Sequence, residues 1–304
     1  MVEGAGNKYG EKGKSMKGIL LAGGSGTRLY PLTKVVCKQL LPVYDKPMVS
    51  YPLSTLMLMG ITEIMVISSP SDLPLIEAYL GDGSRFGISL SYKVQPKPAG
   101  IAEAFLLADS FIGNEPVCLI LGDNIFHLGD QLHDIRKQVK NLQGAVVFGY
   151  HVKDPHRFGV IEFQKDGTVL SLEEKPASPK SSYAAVGLYF YPADVVAKAR
   201  ALKPSPRGEL EITDINKAYL DEKRLKAIQI KRGAAWLDAG TPESLLDASN
   251  YIGAIEHRQG LKVACIEEVA YRMGFISEPQ LRTIIAGMSA KSPYAQYLGR
   301  VFYE

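Results

Sequence analysis

The chain has 304 residues, 46% of them hydrophobic and 22% charged, and its 35 basic and 32 acidic side chains give a net charge of +3. Part of this positive charge lies in residues 1–17, so the rest of the chain is close to neutral. The charge therefore does not indicate a nucleic-acid-binding surface. No uncharged apolar run approaches the roughly 20 residues that cross a bilayer, and no apolar segment precedes Met16. We therefore expect neither a membrane span nor a secretory signal. The three cysteines lack metal-ligand spacing and fit a reducing cytoplasm.

The chain divides by composition and pattern into three parts. Residues 1–15, rich in Gly, Lys and Glu, are predicted to form a disordered tail. Residues 16–240 are expected to form one main domain, and residues 241–304 a helical C-terminal extension.

Short apolar runs alternate with helical patterns in the first half of the chain. The strand candidates are 18–21, 64–67, 90–94 and 117–121, and helices are predicted at 51–60 and 101–110. This alternation predicts a three-layer, Rossmann-like α/β fold with a mixed, mainly parallel central sheet. Ligands bind such sheets beyond the carboxyl ends of the strands.

The second half of the chain has a different pattern of predicted elements. Closely spaced strand candidates, separated by turn signals, lie at 146–150, 160–163, 169–172 and 186–191. They predict a β-rich elaboration that forms the other wall of a pocket. Thr241 and Pro242 suit the N-cap and first position of a long helix. Later helices near 267–273, 279–286 and 294–301 are expected to expose Tyr, Phe and Leu, which favours subunit packing; packing onto the same subunit remains the alternative.

A glycine-rich loop follows the first strand candidate. It consists of Gly23, Gly24, Ser25, Gly26 and Thr27 and is followed by Arg28. Glycines let successive backbone N–H groups converge on an anion, although a tight turn would need them as well. The spacing is neither that of a Walker A loop nor G-x-G-x-x-G. Arg28, together with Lys38 farther along, favours a polyphosphate as the ligand.

Two acidic residues end apolar segments far apart in the chain. Asp123, followed by Asn124, comes directly after one strand candidate, and Asp238 follows Trp236 and Leu237. Each carboxylate alone is equally well explained as a helix cap. Together they would suit Mg²⁺, which takes one or two protein carboxylates alongside substrate phosphates. Spacing does not show whether they meet, since more than a hundred residues separate them.

Glu174 and Lys175 close a strand candidate in the β-rich part. The carboxylate would accept hydrogen bonds from sugar hydroxyls and the lysine would neutralise a phosphate, although a charged hairpin end has the same pattern. The histidines show neither ligand spacing nor a triad, so zinc and nucleophilic chemistry find no support.

Several ordered sequence blocks carry a resemblance to a known family. They are 20–29 (Leu-Leu-Ala-Gly-Gly-Ser-Gly-Thr-Arg-Leu), 38–42 (Lys-Gln-Leu-Leu-Pro), 122–126 (Gly-Asp-Asn-Ile-Phe), 171–176 (Ser-Leu-Glu-Glu-Lys-Pro) and 207–214. The chain resembles the sugar-1-phosphate nucleotidylyltransferases, and from about Met16 onward it is similar to the glucose-1-phosphate thymidylyltransferases. The resemblance implies Mg²⁺-dependent transfer of a thymidylyl group from dTTP to glucose 1-phosphate, with release of pyrophosphate.

The resemblance also implies roles for individual residues. Arg28 and Lys38 would stabilise charge on the phosphoryl groups, and Asp123 and Asp238 would hold Mg²⁺. The implied nucleotide-binding residues are Gly23, Gly24, Ser25, Gly26, Thr27, Gln39, Gln95, Gly100 and Asp123. The implied sugar-phosphate-binding residues are Asn124, Gly159, Glu174, Lys175 and Val186. A homotetramer, and feedback inhibition by dTDP-rhamnose at Glu268 and Arg272, are also implied.

Some positions depart from the pattern of that family. Ala99 stands where an acidic residue usually precedes Gly100, Glu103 replaces a usual Gln, and Val186 lacks a usual hydroxyl. Such changes bear on specificity. The same reaction with UTP or another sugar 1-phosphate therefore remains an alternative. A non-catalytic, nucleotide-sugar-binding regulatory subunit is a second alternative, but it would be expected to lack one of the four charged residues that this chain retains.

Overall fold

The computed structural model describes residues 16–24 and 26–303, so the predicted tail at 1–15 and the predicted ligand Ser25 lie outside the described residues. The strands are β1 (Lys17–Leu21), β2 (Pro42–Val43), β3 (Lys46–Pro47), β4 (Glu63–Ser68), β5 (Ser89–Val94), β6 (Val117–Leu121), β7 (Asn124–His127), β8 (Ala145–His151), β9 (Gly159–Phe163), β10 (Val169–Glu174), β11 (Tyr183–Tyr191), β12 (Leu225–Gln229) and β13 (Ala235–Asp238). The helices are α1 (Ser50–Leu58), α2 (Leu73–Leu80), α3 (Glu103–Leu107), α4 (Asp109–Ile112), α5 (Gln131–Val139), α6 (Val195–Ala201), α7 (Ile212–Asp221), α8 (Pro242–Gln259), α9 (Ile266–Arg272), α10 (Glu278–Ala286) and α11 (Pro293–Leu298).

A nine-stranded mixed sheet forms the centre of the molecule. Strands β5, β4, β1 and β6 run parallel in that order, and β11 continues the sheet antiparallel to β6. Strands β9 and β8 then pair with β11, β10 pairs with β9, and β12 runs parallel to β8. The predicted α/β fold, with its β-rich elaboration, is confirmed.

Both faces of the sheet are covered, as three-layer packing requires. Because side chains alternate along a strand, Leu20 of β1 points into the cluster that contains α1, α2 and α9. Its neighbours Ile19 and Leu21 point into the cluster that contains α3, α6 and α7. The strand reads as a continuous apolar run because both of its faces are buried.

Two predicted helices have revised boundaries and one strand is longer. The helix predicted at 51–60 is α1, and it ends before Gly60, whose φ of 85° does not continue an α-helix. The helix predicted at 101–110 is two short helices, α3 and α4, which meet at Ala108. Strand β11 begins at Tyr183, earlier than predicted, because it also pairs with β8 and β9.

The C-terminal helices pack onto their own subunit. Tyr297, Leu298 and Val301 are at most 3% exposed and join the cluster that also buries one face of the sheet. The expectation that these helices expose Tyr, Phe and Leu is therefore wrong for Tyr297 and Leu298. Across residues 16–24 and 26–303, no helix combines the length and apolar character that a membrane-spanning segment requires.

Helix α8 begins as predicted. Thr241 is its N-cap and forms a capping box with Ser244, in which each side chain accepts a hydrogen bond from the other residue's backbone N–H. The apolar face of α8 packs, through Ala248 and Ile252, against a small cluster that includes Leu41 and Tyr51. This helix therefore joins the chain that follows β13 to the segment between β1 and α1.

An ionic cluster whose members Lys46 and Glu256 are buried strengthens the same contact. Lys46, only 5% exposed, pairs with Asp45 and with Glu256 of α8 at 3.0 Å. Lys262 pairs with the same two carboxylates. Opposite charges compensate each other here, as buried charges require.

Candidate active site

A continuous cleft runs along the carboxyl ends of the parallel strands. A cavity of about 350 Å³ and one of about 200 Å³ share Gly23, Gly24 and Gln95 in their walls. A cavity of about 460 Å³ continues beyond them and shares Leu121 and Asp123 with the smaller of the two. The cleft thus lies where ligands bind in open α/β sheets.

The glycine loop forms one end of this cleft. Gly24 and Gly26 have φ angles of 101° and 59°, which side-chain-bearing residues rarely adopt. A Cβ at Gly23 would lie 2.7 Å from Oε1 of Gln95, so a side chain here would require the Gln95 amide to shift. Thr27 begins a short 3₁₀ turn that carries Arg28 into the largest of these three cavities.

Lys38 and Gln39 begin another 3₁₀ turn beside the loop. Lys38 is 8% exposed and its ammonium group pairs with the carboxylate of Asp123. Gln39 donates from Nε2 to the carbonyl oxygen of Gly23 at 3.1 Å. Its Oε1 is buried and has no hydrogen-bond partner among the described residues.

The two candidate metal ligands lie in the same cavity. Strands β7 and β13 pair antiparallel, with Asp238 opposite Asn124, and the N–H of Ala239 donates to the carbonyl oxygen of Asp123 at 3.0 Å. Asp123, Asp238 and Arg28 all line the largest cavity. A long-range strand pairing therefore brings together two carboxylates that the sequence could not relate.

The two carboxylates have opposite pKa shifts. Burial would raise the pKa of Asp123, but the charge of Lys38 and hydrogen bonds from Lys38 and Asn124 lower it overall. Burial raises the pKa of Asp238; the negative charge of Asp123 adds to the rise, while Arg157, 3.9 Å away, opposes it. A cation bound near Asp238 would therefore stabilise its ionised carboxylate.

The donor set is suited to a hard cation. Within the described residues, no group of three or more His, Cys, Asp or Glu side chains is arranged to hold a metal. Two carboxylates without nitrogen or sulfur ligands match Mg²⁺, which completes its coordination with water and substrate phosphates. The residues present therefore fit a magnesium ion that binds together with a nucleotide.

Asn124 positions Asp123. Its Nδ2 donates to Asp123 Oδ1 at 2.7 Å, while its Oδ1 accepts from Trp236 Nε1 at 2.6 Å and from the N–H of Gly187 at 3.0 Å. It is 4% exposed and lines the cavity. Sequence reasoning did not assign a role to Trp236, because its partner lies on a distant strand.

The far wall of the cavity carries the predicted sugar-binding residues. Glu174, Lys175 and Gly159 line it together, on β10 and β9 and at their ends. Thr213 of α7 donates to Glu174 Oε2 at 2.6 Å and so fixes that carboxylate. Lys175 Nζ lies 3.7 Å from Glu174 Oε1. Arg157 lines the same cavity and was missed from sequence.

The structure corrects one predicted contact. Val186 is fully buried and its side chain packs in the core cluster, whereas its neighbours Ala185 and Gly187 line the cavity. Alternation along β11 explains the difference, because successive side chains point to opposite faces. The hydroxyl expected at position 186 would therefore not have faced the cavity.

Gln95 and Gly100, which the resemblance assigns to the nucleotide, both line the smallest of the three cavities. Gly100 has a φ of 104°, and a Cβ there would lie 2.4 Å from the carbonyl oxygen of Leu210. Leu210 donates its N–H to Ala99 and accepts from Ala102, which holds this segment in place. Gly100 is therefore required by close backbone packing.

The two candidate regulatory residues lie away from the cleft. Glu268 and Arg272 are on α9, and Arg272 Nε donates to Glu268 Oε1 at 2.7 Å. Tyr297 also donates to the carboxylate of Glu268. Neither residue lines the three cavities that make up the cleft.

The carboxyl edge of this α/β sheet carries a glycine loop, two neighbouring carboxylates and two cationic side chains. This combination is typical of enzymes that transfer a nucleotidyl group. Residues 17–254 match the family described as nucleotidyl transferase, and the chain belongs to that family.

Curated relatives place the chain among the glucose-1-phosphate thymidylyltransferases. It is 52% identical over 286 residues to the one from Neisseria meningitidis, covering 94% of this chain and 99% of the relative. It is 53% identical over 282 residues to that of Xanthomonas campestris, covering 93% and 95%. The Mycobacterium tuberculosis protein of the same name is 51% identical over 283 residues, covering 93% and 98%. The resemblance predicted from the sequence blocks is confirmed.

Two solved structures are similar in fold. One is provisionally named as a glucose-1-phosphate thymidylyltransferase from Bacillus anthracis, in complex with sucrose; it is 44% identical, with a TM-score of 0.73 over 78% of this chain and 95% of that one. The other is a UDP-glucose pyrophosphorylase complexed with UDP-glucose, 26% identical, with a TM-score of 0.70 over 79% and 99%.

Proposed function

We propose that this chain transfers a thymidylyl group from dTTP to glucose 1-phosphate in a Mg²⁺-dependent reaction that yields dTDP-glucose and pyrophosphate. The observation that carries the proposal is the pairing of β7 with β13, which brings Asp238 to the same cavity as Asp123 and Arg28. Lys38, paired with Asp123, supplies a second cation at that point. The names of the relatives support this choice of substrates.

The chain's own groups act by positioning and by electrostatic stabilisation. In an in-line displacement, a phosphate oxygen of glucose 1-phosphate attacks the α-phosphorus of dTTP, and the bond to the pyrophosphate breaks. The glycine loop and Arg28 hold the departing pyrophosphate, while Lys38 stabilises negative charge on the α-phosphoryl group. No general base is needed, because the attacking oxygen is already anionic.

The two substrates bind to different parts of the cleft. The base and ribose lie between the glycine loop, Gln95 and Gly100, and the sugar lies against Glu174 and Gly159. Lys175, at the rim of the sugar cavity, neutralises the phosphate of glucose 1-phosphate. Holding both substrates at one point removes much of the entropic barrier to their reaction.

Asp123 and Asp238 are the residues that would hold Mg²⁺. When bound, the ion would neutralise charge on the phosphate oxygens. The raised pKa of Asp238, caused by burial and by its proximity to Asp123, supports a cation at this point.

Pyrophosphate release tests the proposal. The assay combines dTTP or UTP, with Mg²⁺, with the 1-phosphates of glucose, glucosamine or galactose. Preference for dTTP with glucose 1-phosphate is the expected result; preference for another pair would preserve the reaction class but change the substrates. No release with any pair would favour a non-catalytic regulatory subunit.

Matched variants connect that activity to the cavity. Asp123→Asn and Asp238→Asn are each expected to lower kcat roughly 100-fold or more, because each removes an anionic ligand. Asp109→Asn is the control, since Asp109 pairs with Arg200 on the surface. Equal effects of all three variants would contradict the assignment.

We also propose that the chain forms a homotetramer, works in dTDP-rhamnose biosynthesis and is inhibited by dTDP-rhamnose through Glu268 and Arg272. The position of this pair outside the cleft supports a separate binding site. Inhibition of the wild type but not of Arg272→Ala, with unchanged activity in the absence of dTDP-rhamnose, is expected. A native mass that corresponds to a monomer would contradict the tetramer.

A further inference from the structure

Arg157 forms an ion pair with one of the two candidate metal ligands. Its Nη2 lies 3.9 Å from Asp238 Oδ2, and elsewhere in the described part of the chain no lysine or arginine lies within ion-pair distance of that carboxylate. Arg157 ends the 3₁₀ turn Pro155–Arg157, which lies between β8 and β9, and it lines the cavity that also contains Lys175. This guanidinium group therefore lies beside both the candidate metal ligand and the proposed sugar site.

The contact between Arg157 and Asp238 is loose by comparison with that of Arg207 in the same cavity. Arg207 donates from Nη2 to both carboxylate oxygens of Glu211 at 2.8 Å. At 3.9 Å, Arg157 makes no hydrogen bond to Asp238, and its side chain is exposed to solvent. Arg157 can therefore leave Asp238 without losing a hydrogen bond, and an exposed ion pair of this kind contributes little to stability.

Two changes during the proposed reaction would favour such a movement. A cation bound by Asp123 and Asp238 would neutralise the charge that attracts Arg157. The phosphate of glucose 1-phosphate enters the same cavity, between the sugar wall and the two carboxylates. A planar guanidinium group matches the oxygens of a phosphate better than it matches a carboxylate that already holds a metal.

We propose that Arg157 exchanges partners: it pairs with Asp238 in the metal-free protein and, when a cation binds to Asp238, it binds the phosphate of glucose 1-phosphate beside Lys175. The inference rests on the proposed function, which puts Mg²⁺ at Asp238 and the sugar phosphate at Lys175. It adds a second cation to the sugar-phosphate site. It also makes the metal and the sugar phosphate favour each other's binding, because the same arginine must leave Asp238 for both.

A metal-free binding experiment tests the exchange. The probe is dTDP-glucose, whose sugar-side phosphate derives from glucose 1-phosphate, titrated by calorimetry in the presence of EDTA. Asp238→Asn removes the charge that holds Arg157, so this variant is expected to bind the probe roughly tenfold more tightly than the wild type. When Arg157→Gln is already present, the same change at Asp238 is expected to raise the affinity about twofold or less, because no guanidinium group is released.

Lys153→Gln is the matched control for this cycle. Lys153 is an exposed cation four residues before Arg157, and it does not line the cavity. When Lys153→Gln is present, Asp238→Asn should still raise the affinity for dTDP-glucose roughly tenfold. A loss of net positive charge alone would affect the Lys153→Gln and Arg157→Gln backgrounds alike.

Arg157→Gln on its own gives a second measurement, which does not depend on the folding of Asp238→Asn. The Mg²⁺ concentration that gives half-maximal pyrophosphate release should fall roughly threefold, because Asp238 loses a competing cation. The KM for glucose 1-phosphate should rise roughly tenfold, because its phosphate loses a charged partner. Damage to the fold would not move these two quantities in opposite directions, and Arg157→Lys should restore part of both.

The outcomes separate this inference from the proposed function. If Asp238→Asn raises the metal-free affinity equally, within twofold, with and without Arg157, the effect belongs to the charge of Asp238 alone and the exchange is overturned. No gain in affinity, or an unchanged KM for glucose 1-phosphate in Arg157→Gln, would also overturn it, while wild-type turnover would leave the proposed function intact. If the wild type neither binds dTDP-glucose nor releases pyrophosphate with any substrate pair, the proposed function fails and the exchange fails with it.

Discussion

Lys38 and Asp123 lie 85 residues apart in the sequence and form an ion pair at the carboxyl edge of the sheet. The pair contributes to the lowered pKa of Asp123 in a position where burial alone would raise it. The carboxylate is therefore kept charged and the ammonium group is kept within the cleft. Both groups are in place before a substrate arrives, which is the kind of preorganisation that phosphoryl transfer requires.

Replacing Lys38 should affect both activity and stability. Lys38→Met is expected to lower kcat roughly 100-fold, because it removes a cation from the α-phosphoryl group. It should also lower the free energy of unfolding by about 2 kcal/mol, because Asp123 loses its charged partner. Steady-state kinetics and urea unfolding measure the two effects. Lys34→Met, at an exposed position in the preceding turn, should change neither.

Gly100 should tolerate no side chain. In Gly100→Ala the Cβ would lie 2.4 Å from the carbonyl oxygen of Leu210, so the segment must shift, and we expect a loss of about 3 kcal/mol in unfolding free energy. The control is Gly113→Ala, where φ is also positive but no atom lies within 4 Å of the added Cβ. It should cost only about 1 kcal/mol. Similar losses in both variants would mean that close packing at Leu210 is unimportant.

Glu174 should act on the sugar and not on the nucleotide. Glu174→Gln is expected to raise the KM for glucose 1-phosphate roughly tenfold and leave that for dTTP unchanged, because the amide is a poorer acceptor for sugar hydroxyls. Its neighbour on β10, Glu173, pairs with Lys180 at 2.6 Å and does not line the cavity, so Glu173→Gln is the control. Trp236, the only tryptophan of the chain, lines this cavity, and its fluorescence provides a binding readout.

The ionic cluster of Asp45, Lys46, Glu256 and Lys262 should make stability depend on pH. Burial opposes ionisation of Asp45, but Lys262 and Lys46 outweigh it and lower its pKa below the usual 3.8. A lowered folded-state pKa stabilises the protein above the unfolded-state pKa, and this contribution is lost as the pH falls through the folded-state value. Asp45→Asn should therefore lower the unfolding free energy by about 1–2 kcal/mol at pH 7.

The difference between wild type and Asp45→Asn should shrink steadily as the pH falls from about 5 towards 3. Urea unfolding at a series of pH values measures it. Asp221→Asn, at an exposed position, should remain close to wild type throughout. A difference for Asp45→Asn that is constant with pH would show that its charge is not the stabilising feature.

Local sequence patterns predicted the parallel half of the sheet well. Strand β6 has the predicted boundaries, because an apolar run buried on both faces ends sharply at Gly122. The pattern over 101–110 predicted one helix and failed at Ala108, where the backbone leaves the helical region although no glycine or proline marks the break. Local periodicity cannot reveal such a break.

The assembly of the site could not be predicted from spacing. Asp123 and Asp238 meet because β7 pairs with β13, and this pairing depends on tertiary packing rather than on any local pattern. The hydrogen bond from Trp236 to Asn124 has the same origin. The prediction that Val186 faces the sugar cavity failed for a different reason. Successive side chains of a strand point to opposite faces, so with Gly187 at the cavity Val186 must face the core.

Helix α8 has a consequence for how the site moves. The N-cap of α8, Thr241, lies three residues after Asp238. Farther along the helix, Glu256 pairs with Lys46, which follows the 3₁₀ turn that carries Lys38. One rigid rod is thus attached to both sides of the cleft. Thermal fluctuations of the 3₁₀ turn that carries Lys38 and of β13, which carries Asp238, should therefore be correlated. The distance between Lys38 and Asp238 should then vary less than the position of either residue does.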